Sequence, residues 1–243
     1  MNQSAFPGKY AFHLEYPLGH SIISENLEIE MRSASLIKLP ILLYAFQIAK
    51  DLDERIEITT ADLVEGAGIL QTLVVGKKKF TIRELITLMI VVSDNTATNV
   101  LIHRYGMPNL NEFIQSIGMT STKLARLMRD EVAILEGREN TTTATDITKC
   151  LKSMEESISF KEMLHILKGQ QFQHKVPFGV ADDEFTFYHK TGELDGLDHD
   201  SGFFYFQDKL GLFVGLTEIH EQNGLDALHR FGEKIRSLKG ERT

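Results

Sequence analysis

The amino-acid sequence predicts an α+β fold, in which an antiparallel five-stranded sheet is flanked by N- and C-terminal helices and joined to a mainly helical lobe. Two observations lead to this expectation: strand-like segments lie at both ends of the chain, and helix-like segments fill the middle. The 243 residues are 42% hydrophobic and 25% charged, as in an ordinary globular protein. We expect one domain, residues 1–243, with an α/β lobe at about 1–30 and 171–243 and a helical lobe at about 31–170.

The strand-like segments are recognised by alternation of residue character or by a composition rich in aromatic and β-branched residues. They cover residues 10–16, 21–26, 185–190, 202–206 and 212–217. The first is followed by the turn sequence Tyr16-Pro17-Leu18-Gly19, and residues 207–211 resemble a hairpin turn between the last two. The simplest assembly pairs the two N-terminal strands with the three C-terminal strands in one antiparallel sheet.

The helical segments are marked by capping residues and apolar faces. Thr81 and Glu84 have the spacing of a capping box, at the start of a helix that ends before Ser93-Asp94-Asn95. Pro40 indicates that the first helix begins close to Ser35 and is irregular in its first turns. The predicted helices cover residues 35–50, 81–92, 96–103, 107–117, 144–154, 161–168 and 225–238. We expect the first and last of these helices to cover one face of the sheet.

Charge and composition exclude several classes of function. The net charge of −8 argues against nucleic acid or an anionic membrane as a partner, and the run Lys77–Lys79 is typical of a solvated loop. The single cysteine, Cys150, excludes an intrachain disulfide and is expected to be a small apolar residue on a helix. The first ten residues lack the pattern of a secretory signal, and the stretch 85–92 is too short to cross a bilayer. These features predict a cytoplasmic protein as the sequence is written, or an exported one if a leader has been trimmed.

Three short motifs occur in one order along the chain. They are Ser35-Leu36-Ile37-Lys38, Ser93-Asp94-Asn95 and Lys190-Thr191-Gly192. A Ser-x-x-Lys arises by chance roughly once in a chain of this length, and each of the other two in roughly one chain in twenty. The three together, in this order, are expected in fewer than about one chain in several hundred, so the motifs indicate a functional site.

These residue types fit nucleophilic catalysis. A serine hydroxyl needs a base, and positions i and i+3 of a helix share a face, so Lys38 is the candidate base for Ser35. Burial and a second cation, Lys190, would favour the neutral amine. Ser93, at a helix end, could pass a proton to a leaving nitrogen, and Asn95 could hold a substrate amide. We expect Asp94 to cap or brace the turn.

The motifs resemble those of class A β-lactamases and penicillin-binding proteins. Residues 68–71, 88–99 and 141–144 resemble further class A landmarks, so the likeness extends from about Lys9 to the end. The resemblance implies a β-lactamase/transpeptidase-like fold and an acyl-enzyme at Ser35, with β-lactams or peptidoglycan-like peptides as substrates. The site residues are expected to be catalytic Ser35, Lys38, Ser93 and Lys190, and substrate-binding Asn95, Thr191, Gly192 and Glu193. Backbone N–H groups of Ser35 and Glu193 would form the oxyanion hole.

The chain departs from the class A pattern in two places. The family activates its deacylating water with a glutamate in an Arg-x-Glu-x-x-Leu-Asn setting, whereas the equivalent region here is Arg126–Ala133. Asp130 or Glu131 could replace that glutamate, or either could be a structural ion-pair partner. His199 lies in the area of the family's cationic carboxylate anchor. It stands between Asp198 and Asp200, but neighbouring residues of a strand point to opposite faces, so no metal site is expected there.

The sequence leaves several functions open. The first is a β-lactamase-type hydrolase with slow deacylation, and the second is an esterase or D-Ala-D-Ala peptidase that uses the same residues. A third is a penicillin-binding sensor that is acylated without turnover, and a fourth is a silent relative that binds a partner. We expect no cofactor or metal, a small β-lactam or related acyl substrate, no nucleic-acid or membrane partner, and a monomer.

Overall fold

The computed structural model describes residues 8–49, 51–219 and 223–240, so the expectation about an export signal in Met1–Pro7 lies outside it. The strands are β1 (Lys9–Glu15), β2 (Ser21–Glu25), β3 (Met31–Arg32), β4 (Arg55–Thr59), β5 (Lys77–Thr81), β6 (Thr141–Thr142), β7 (Thr186–Leu194), β8 (Leu197–Phe206) and β9 (Lys209–Glu218). Five of them form an antiparallel sheet in the order β2-β1-β9-β8-β7. The predicted sheet is therefore confirmed, and β7 is one of its edges.

The helices follow the capping signals in the sequence. They are α1 (Lys38–Ile48), α2 (Leu70–Leu73), α3 (Ile82–Val91), α4 (Asn95–Tyr105), α5 (Met107–Ser116), α6 (Glu131–Leu135), α7 (Ala144–Glu155), α8 (Phe160–Lys168), α9 (Val176–Val180) and α10 (Asn223–Arg236). Short 3₁₀ turns cover Ala34–Ile37, Thr60–Asp62 and Ser237–Lys239. The capping box of α3 is confirmed, because Thr81 Oγ accepts from the Glu84 amide at 3.0 Å and Glu84 accepts from the Thr81 amide at 2.7 Å.

Two apolar clusters lie on opposite faces of the sheet, because successive side chains of a strand alternate between faces. Phe12 and Phe213 belong to the cluster that contains α9 and α10. Ala11 and Val214, their neighbours in sequence, belong to the cluster formed with the other helices, including α1. The expectation that the first and last helices cover one face is therefore wrong: α10 covers one face, and α1 lies on the other side. Since α1 is apolar on nearly every side, it fits the interior of a group of helices better than one face of a sheet.

Three local expectations change in the structure. Lys77–Lys79 form part of β5, which pairs with β4, although their side chains are exposed as expected. The hairpin turn between β8 and β9 is reduced to residues 207–208, because the pairing continues to Phe206 and Lys209. The Lys190-Thr191-Gly192 motif lies inside β7 and not at its end, because pairing with β8 continues to Leu194.

Cys150 lies inside α7 with no exposed surface, as expected for a small apolar residue. Burial raises the pKa of its thiol, so the residue is unreactive near neutral pH. A separate finding is that the described part of the chain contains no helix long and apolar enough to span a bilayer.

Candidate active site

Ser35 lies in the 3₁₀ turn that directly precedes α1, and Lys38 is the first residue of that helix. The irregular helix start expected from Pro40 is therefore present. Gly192 of β7 faces this turn: a Cβ atom on it would lie 3.2 Å from the Ala34 Cβ and 3.3 Å from the His199 Cβ. The missing side chain thus allows the edge strand to pack directly against the turn that carries Ser35.

The three sequence motifs meet at one hydroxyl group, that of Ser93. Its Oγ donates to the Ser35 Oγ at 2.9 Å and accepts from the Lys38 Nζ at 3.0 Å and the Lys190 Nζ at 3.2 Å. Among the described residues, Ser35 and Lys38 share no direct hydrogen bond. The path from the Ser35 oxygen to either amine therefore runs through Ser93.

Both amines of the site are fully buried. The Lys38 Nζ also donates to the Ser93 carbonyl at 2.8 Å and to the Asn95 Oδ1 at 3.2 Å. Burial lowers the pKa of Lys38 to about 7, although the Asp94 carboxylate acts in the opposite direction. Burial, followed by the charge of Lys38, holds the pKa of Lys190 well below its usual value. Lys38 can therefore give up its proton near neutral pH.

The turn that holds Ser93 is braced by Asp94, as expected. The Asp94 Oδ1 caps α4 by accepting from the Ala97 amide at 2.9 Å. Its Oδ2 accepts from the amides of Ile69 and Leu70, at 2.7 and 2.9 Å. Ser93 itself has a φ of 55°, a conformation unusual for a serine, so the surrounding bonds are needed to hold it.

Gly68 makes this brace possible, and its replacement gives a stability test. Its φ is +115°, and a Cβ atom would lie 2.3 Å from the Asp94 carboxylate carbon. We expect Gly68→Ala to lower the free energy of unfolding by about 2–4 kcal/mol, because it adds an overlap to backbone strain. Gly19→Ala is the matched control: its φ is +89°, with nothing within 4 Å of the added Cβ. It should cost about 1 kcal/mol. Equal losses in urea unfolding would contradict this account.

A loop closed by a partly buried ion pair forms another wall of the site. The Arg126 Nη2 lies 2.6 Å from the Glu139 Oε1, and the Asn140 Oδ1 accepts from the Arg126 amide at 3.0 Å. Within this loop the Asp130 carboxylate caps α6 by accepting from the Ala133 amide at 3.0 Å. This hydrogen bond gives Asp130 a structural role at the start of α6.

Met128 of the same loop was missed by the sequence analysis. Its amide donates to the Asn99 Oδ1 at 2.8 Å, and its carbonyl accepts from the Asn99 Nδ2 at 3.1 Å. Met128 lines a cavity of about 220 Å³ together with Ser35, Asn95 and Glu131. The Glu131 side chain is 76% exposed and lies 3.5 Å from Arg129. The loop residue whose backbone is held on the wall of this cavity is therefore a methionine, whereas the Glu131 carboxylate is largely exposed.

A cleft of about 710 Å³ opens in front of Ser35, and Thr191 and Glu193 on the edge strand β7 line it together with Ser93. Asn95 lies deeper: its Oδ1 accepts from Lys38 and its Nδ2 donates to the Glu65 carbonyl at 3.1 Å. The structure therefore brings together every site residue predicted from the sequence. Ser35, Ser93, Thr191 and Glu193 face the cleft, Asn95 faces the adjoining cavity, and Lys38, Lys190 and Gly192 lie behind them.

His199 is not the cation expected near the carboxylate anchor of the family. It is fully buried, its Nε2 lies 2.8 Å from the Arg32 carbonyl, and its Nδ1 accepts from the Thr217 amide at 3.1 Å. Burial lowers the pKa of His199 to about 4, so the ring is neutral at pH 7. These bonds tie β8 to β3 and β9, which is a structural role.

Lys175 is a second residue that the sequence analysis missed. Its side chain has no exposed surface, and its Nζ donates to the Gly192 carbonyl at 2.8 Å and to the Asp198 Oδ1 at 2.6 Å. It lies 3.4 Å from the Glu193 Oε2. Lys175 therefore supports β7 from behind the cleft. In the described ranges, no group of three His, Cys, Asp or Glu residues is arranged to hold a metal ion.

Comparisons with known proteins show which solved structures share this fold. The β-lactamase from Sphaerobacter thermophilus DSM 20745 has a TM-score of 0.88 and 25% identity, covering 99% of this chain and 95% of its own. A class A β-lactamase from Mycobacterium abscessus has a TM-score of 0.84 and 19% identity, with coverages of 98% and 96%. PBP-A has a TM-score of 0.84 and 22% identity, with coverages of 98% and 93%. No curated protein matches the chain significantly.

The sequence also matches a family profile described as the beta-lactamase enzyme family, over residues 2–236. This match covers nearly the whole chain and agrees with the fold of the solved structures. The family and its fold neighbours support a serine β-lactamase-type hydrolase. The chain belongs to the beta-lactamase enzyme family.

Proposed function

We propose that this protein opens the amide bond of β-lactams through an acyl-enzyme at Ser35, and that it hydrolyses the acyl-enzyme slowly. The observation that supports this most strongly is the hydrogen-bonded chain from the Ser35 oxygen through Ser93 to the buried amine of Lys38. The substrate enters a cleft between an α/β lobe, about residues 1–30 and 171–243, and a helical lobe, about residues 31–170.

Acylation begins when the Ser35 Oγ attacks the carbonyl carbon of the lactam. With Lys38 neutral, the two hydroxyl groups rotate so that Ser35 donates to Ser93 and Ser93 donates to the Lys38 amine, and the Ser35 proton moves along this path. The lowered pKa of Lys38 makes the neutral amine available at neutral pH. The backbone N–H groups of Ser35 and Glu193 stabilise the negative charge that develops on the carbonyl oxygen. Glu193 can supply its N–H because β7 is the sheet edge next to the Ser35 turn.

Cleavage of the lactam bond then requires a proton for the leaving nitrogen. The carbon–nitrogen bond breaks, the leaving nitrogen takes a proton from Ser93, and the Lys38 ammonium restores the proton of Ser93. Lys190 holds the Ser93 oxygen by donating to it at 3.2 Å, and Thr191 binds the acidic group of the substrate in the cleft. Asn95 keeps Lys38 in place by accepting a hydrogen bond from its amine, and it is the residue we propose for the substrate amide.

Slow deacylation follows from the loop that contains Met128. A water molecule that attacks the ester needs a base, and a thioether cannot take its proton. Asp130 is engaged as a helix cap, whereas Glu131, the other carboxylate of the segment Arg126–Ala133, lies on the cavity wall. A PBP-A mutant has been solved as an acyl-enzyme complex with penicillin G, with a TM-score of 0.82. In the present chain, the position of Met128 on the cavity wall favours the penicillin-binding alternative as the second candidate function.

The test combines turnover with intact-mass measurement. We expect the protein to gain the mass of one penicillin within the mixing time of a manual experiment and to lose it slowly, with slow hydrolysis of a chromogenic cephalosporin. Ser35→Ala should abolish both the adduct and the hydrolysis, because it removes the oxygen that is acylated. An adduct or hydrolysis retained in Ser35→Ala would contradict the proposal. An adduct without any measurable hydrolysis would select the sensor, and ester hydrolysis without a β-lactam adduct would select the esterase.

A further inference from the structure

The rim of the cleft beside Ser35 carries more carboxylates than cations. Where β7 turns into β8, Glu193, Asp195 and Asp198 line the cleft. The facing wall contributes one cation, Arg129, whose guanidinium lies 3.5 Å from Glu131. The cleft therefore has an acidic side, formed by the β7–β8 turn, next to the reactive serine.

The buried cation behind this turn does not neutralise the carboxylates in front of it. The Lys175 ammonium lies 2.6 Å from the Asp198 carboxylate and 3.4 Å from that of Glu193. One positive charge thus faces two negative ones, and Asp195 adds a third carboxylate that forms no ion pair within the described ranges. The His174 Nε2 also lies 3.7 Å from the Glu193 Oε2. The Glu193 side chain is still 67% exposed, so its charge is open to a ligand in the cleft.

Arg32 is a further cation next to the turn, and it has its own acidic partner. The Arg32 Nε lies 2.8 Å from the Glu218 Oε1, and its Nη2 donates to the backbone carbonyl of Asp195 at 3.1 Å, not to the carboxylate. Lys190 is buried and donates to Ser93 and to the Thr191 carbonyl. The negative excess on the rim therefore persists after these pairs are taken into account.

The direction of β7 fixes which part of a substrate meets this rim. Thr191 lies on one side of the Glu193 amide along the strand, and Asp195 lies on the other. A substrate whose carbonyl group is held at Ser35 and Glu193, with its acidic group at Thr191, extends its acyl substituent towards the β7–β8 turn.

We propose that Glu193 and Asp195 make the site selective for substrates whose acyl substituent carries an ammonium group, and unfavourable to those with a second carboxylate there. This inference rests on the acyl-enzyme at Ser35 given above as the proposed function. The side chains act through charge at the cleft wall, whereas the backbone N–H of Glu193 acts on the reacting carbonyl.

Three penicillins with one nucleus and one aromatic side chain test the inference. Benzylpenicillin is the reference, ampicillin adds an ammonium group on the side-chain carbon, and carbenicillin adds a carboxylate at the same carbon. We expect the second-order rate constant of acylation, followed by intact mass at low salt, to fall in the order ampicillin, benzylpenicillin, carbenicillin, by about three- to tenfold per step. At 1 M NaCl the screening length falls to about 3 Å, and the differences should nearly vanish.

Charge-neutral variants test whether the carboxylates of the rim cause the difference in acylation rates. Glu193→Gln and Asp195→Asn should each reduce the ratio of ampicillin to carbenicillin rates, and the double variant should bring it close to one. Asp195→Asn suits a two-residue turn, because asparagine is as acceptable there as aspartate. Asp208→Asn is the matched control, since this exposed carboxylate lies in the β8–β9 turn at the opposite end of the sheet. It should keep the parent ratio.

The outcomes distinguish a failure of the charge preference at the rim from a failure of the acyl-enzyme at Ser35. Acylation by all three penicillins at equal rates, or in the reverse order, would overturn the inference and leave the proposed function in place. The parent ratio retained in the folded double variant, with the fold checked by thermal unfolding, would also overturn it. Absence of an adduct with all three compounds would refute the acyl-enzyme itself, and the inference would fall with it.

Discussion

Replacing Lys38 with methionine is expected to slow acylation by about 10²–10⁴-fold, because the variant retains the volume of the side chain but loses the base. Lys38 is fully buried, and its amine donates to Ser93 and Asn95 at the centre of the site. Methionine removes the cost of burying an amine but leaves the Ser93 carbonyl and the Asn95 Oδ1 without this donor, so the two effects on stability oppose each other. We expect thermal unfolding of the variant to show that it is folded at the temperature of the assay. A loss of activity therefore cannot be explained by unfolding.

The measurement for Lys38→Met is the rate of adduct formation with benzylpenicillin by intact mass, with thermal unfolding in parallel. Lys78→Met is the matched control: this lysine is exposed on β5, outside the site, and the variant should be acylated at the parent rate. A Lys38→Met variant that is acylated within threefold of the parent would contradict the role of Lys38 as the base. In that case Lys190, the other amine bonded to Ser93, would be the next candidate.

Met128→Glu is expected to accelerate deacylation by about 10²–10⁴-fold, the usual effect of a positioned general base. The amide and the carbonyl of Met128 are both held by the Asn99 side chain, so a carboxylate side chain of similar length at this position starts from a fixed backbone. The cavity that it would enter also borders Ser35 and Asn95. A carboxylate there can orient and deprotonate the water that attacks the ester.

Single-turnover decay of the adduct, measured after excess penicillin is removed, checks the effect of Met128→Glu. Met128→Gln is the isosteric control and should decay at the parent rate, since an amide cannot take the proton. Glu131→Gln in the parent background tests whether the residual decay depends on that exposed carboxylate. Equal decay of the Glu and Gln variants at position 128 would show that the gain comes from polarity or space and not from a base.

The elements of the fold that carry local signals could be predicted from the sequence. The capping box of Thr81 and Glu84 placed the start of α3, and the turn formers Ser93-Asp94-Asn95 placed its end. The strand β5 was missed because a run of three lysines is typical of a loop. Its residues pair with β4 residues that lie 18 to 26 positions earlier in the chain, and this pairing has no local signature.

The site residues that belong to the three motifs could be predicted from the sequence. Ser35, Ser93 and Lys190 are separated by long stretches of chain, and only the combination of the three motifs in this order indicated that they share one site. Met128 and Lys175 carry no such motif: one is an apolar residue in a loop, and the other is a lysine whose burial depends on Asp198 and the Gly192 carbonyl. His199 shows the same limit, because its neutral state follows from burial and from bonds to Arg32 and Thr217, which are distant in sequence.

The pH dependence of acylation tests the central claim, that a buried and neutral Lys38 amine takes the Ser35 proton through Ser93. Because the neutral amine is the base, its fraction rises with pH, and burial lowers the pKa of Lys38 to about 7. The second-order rate constant for benzylpenicillin should therefore rise about tenfold per pH unit below this value and level off above it. A rate constant that is flat from pH 5 to 9, or that falls across this range, would contradict the account.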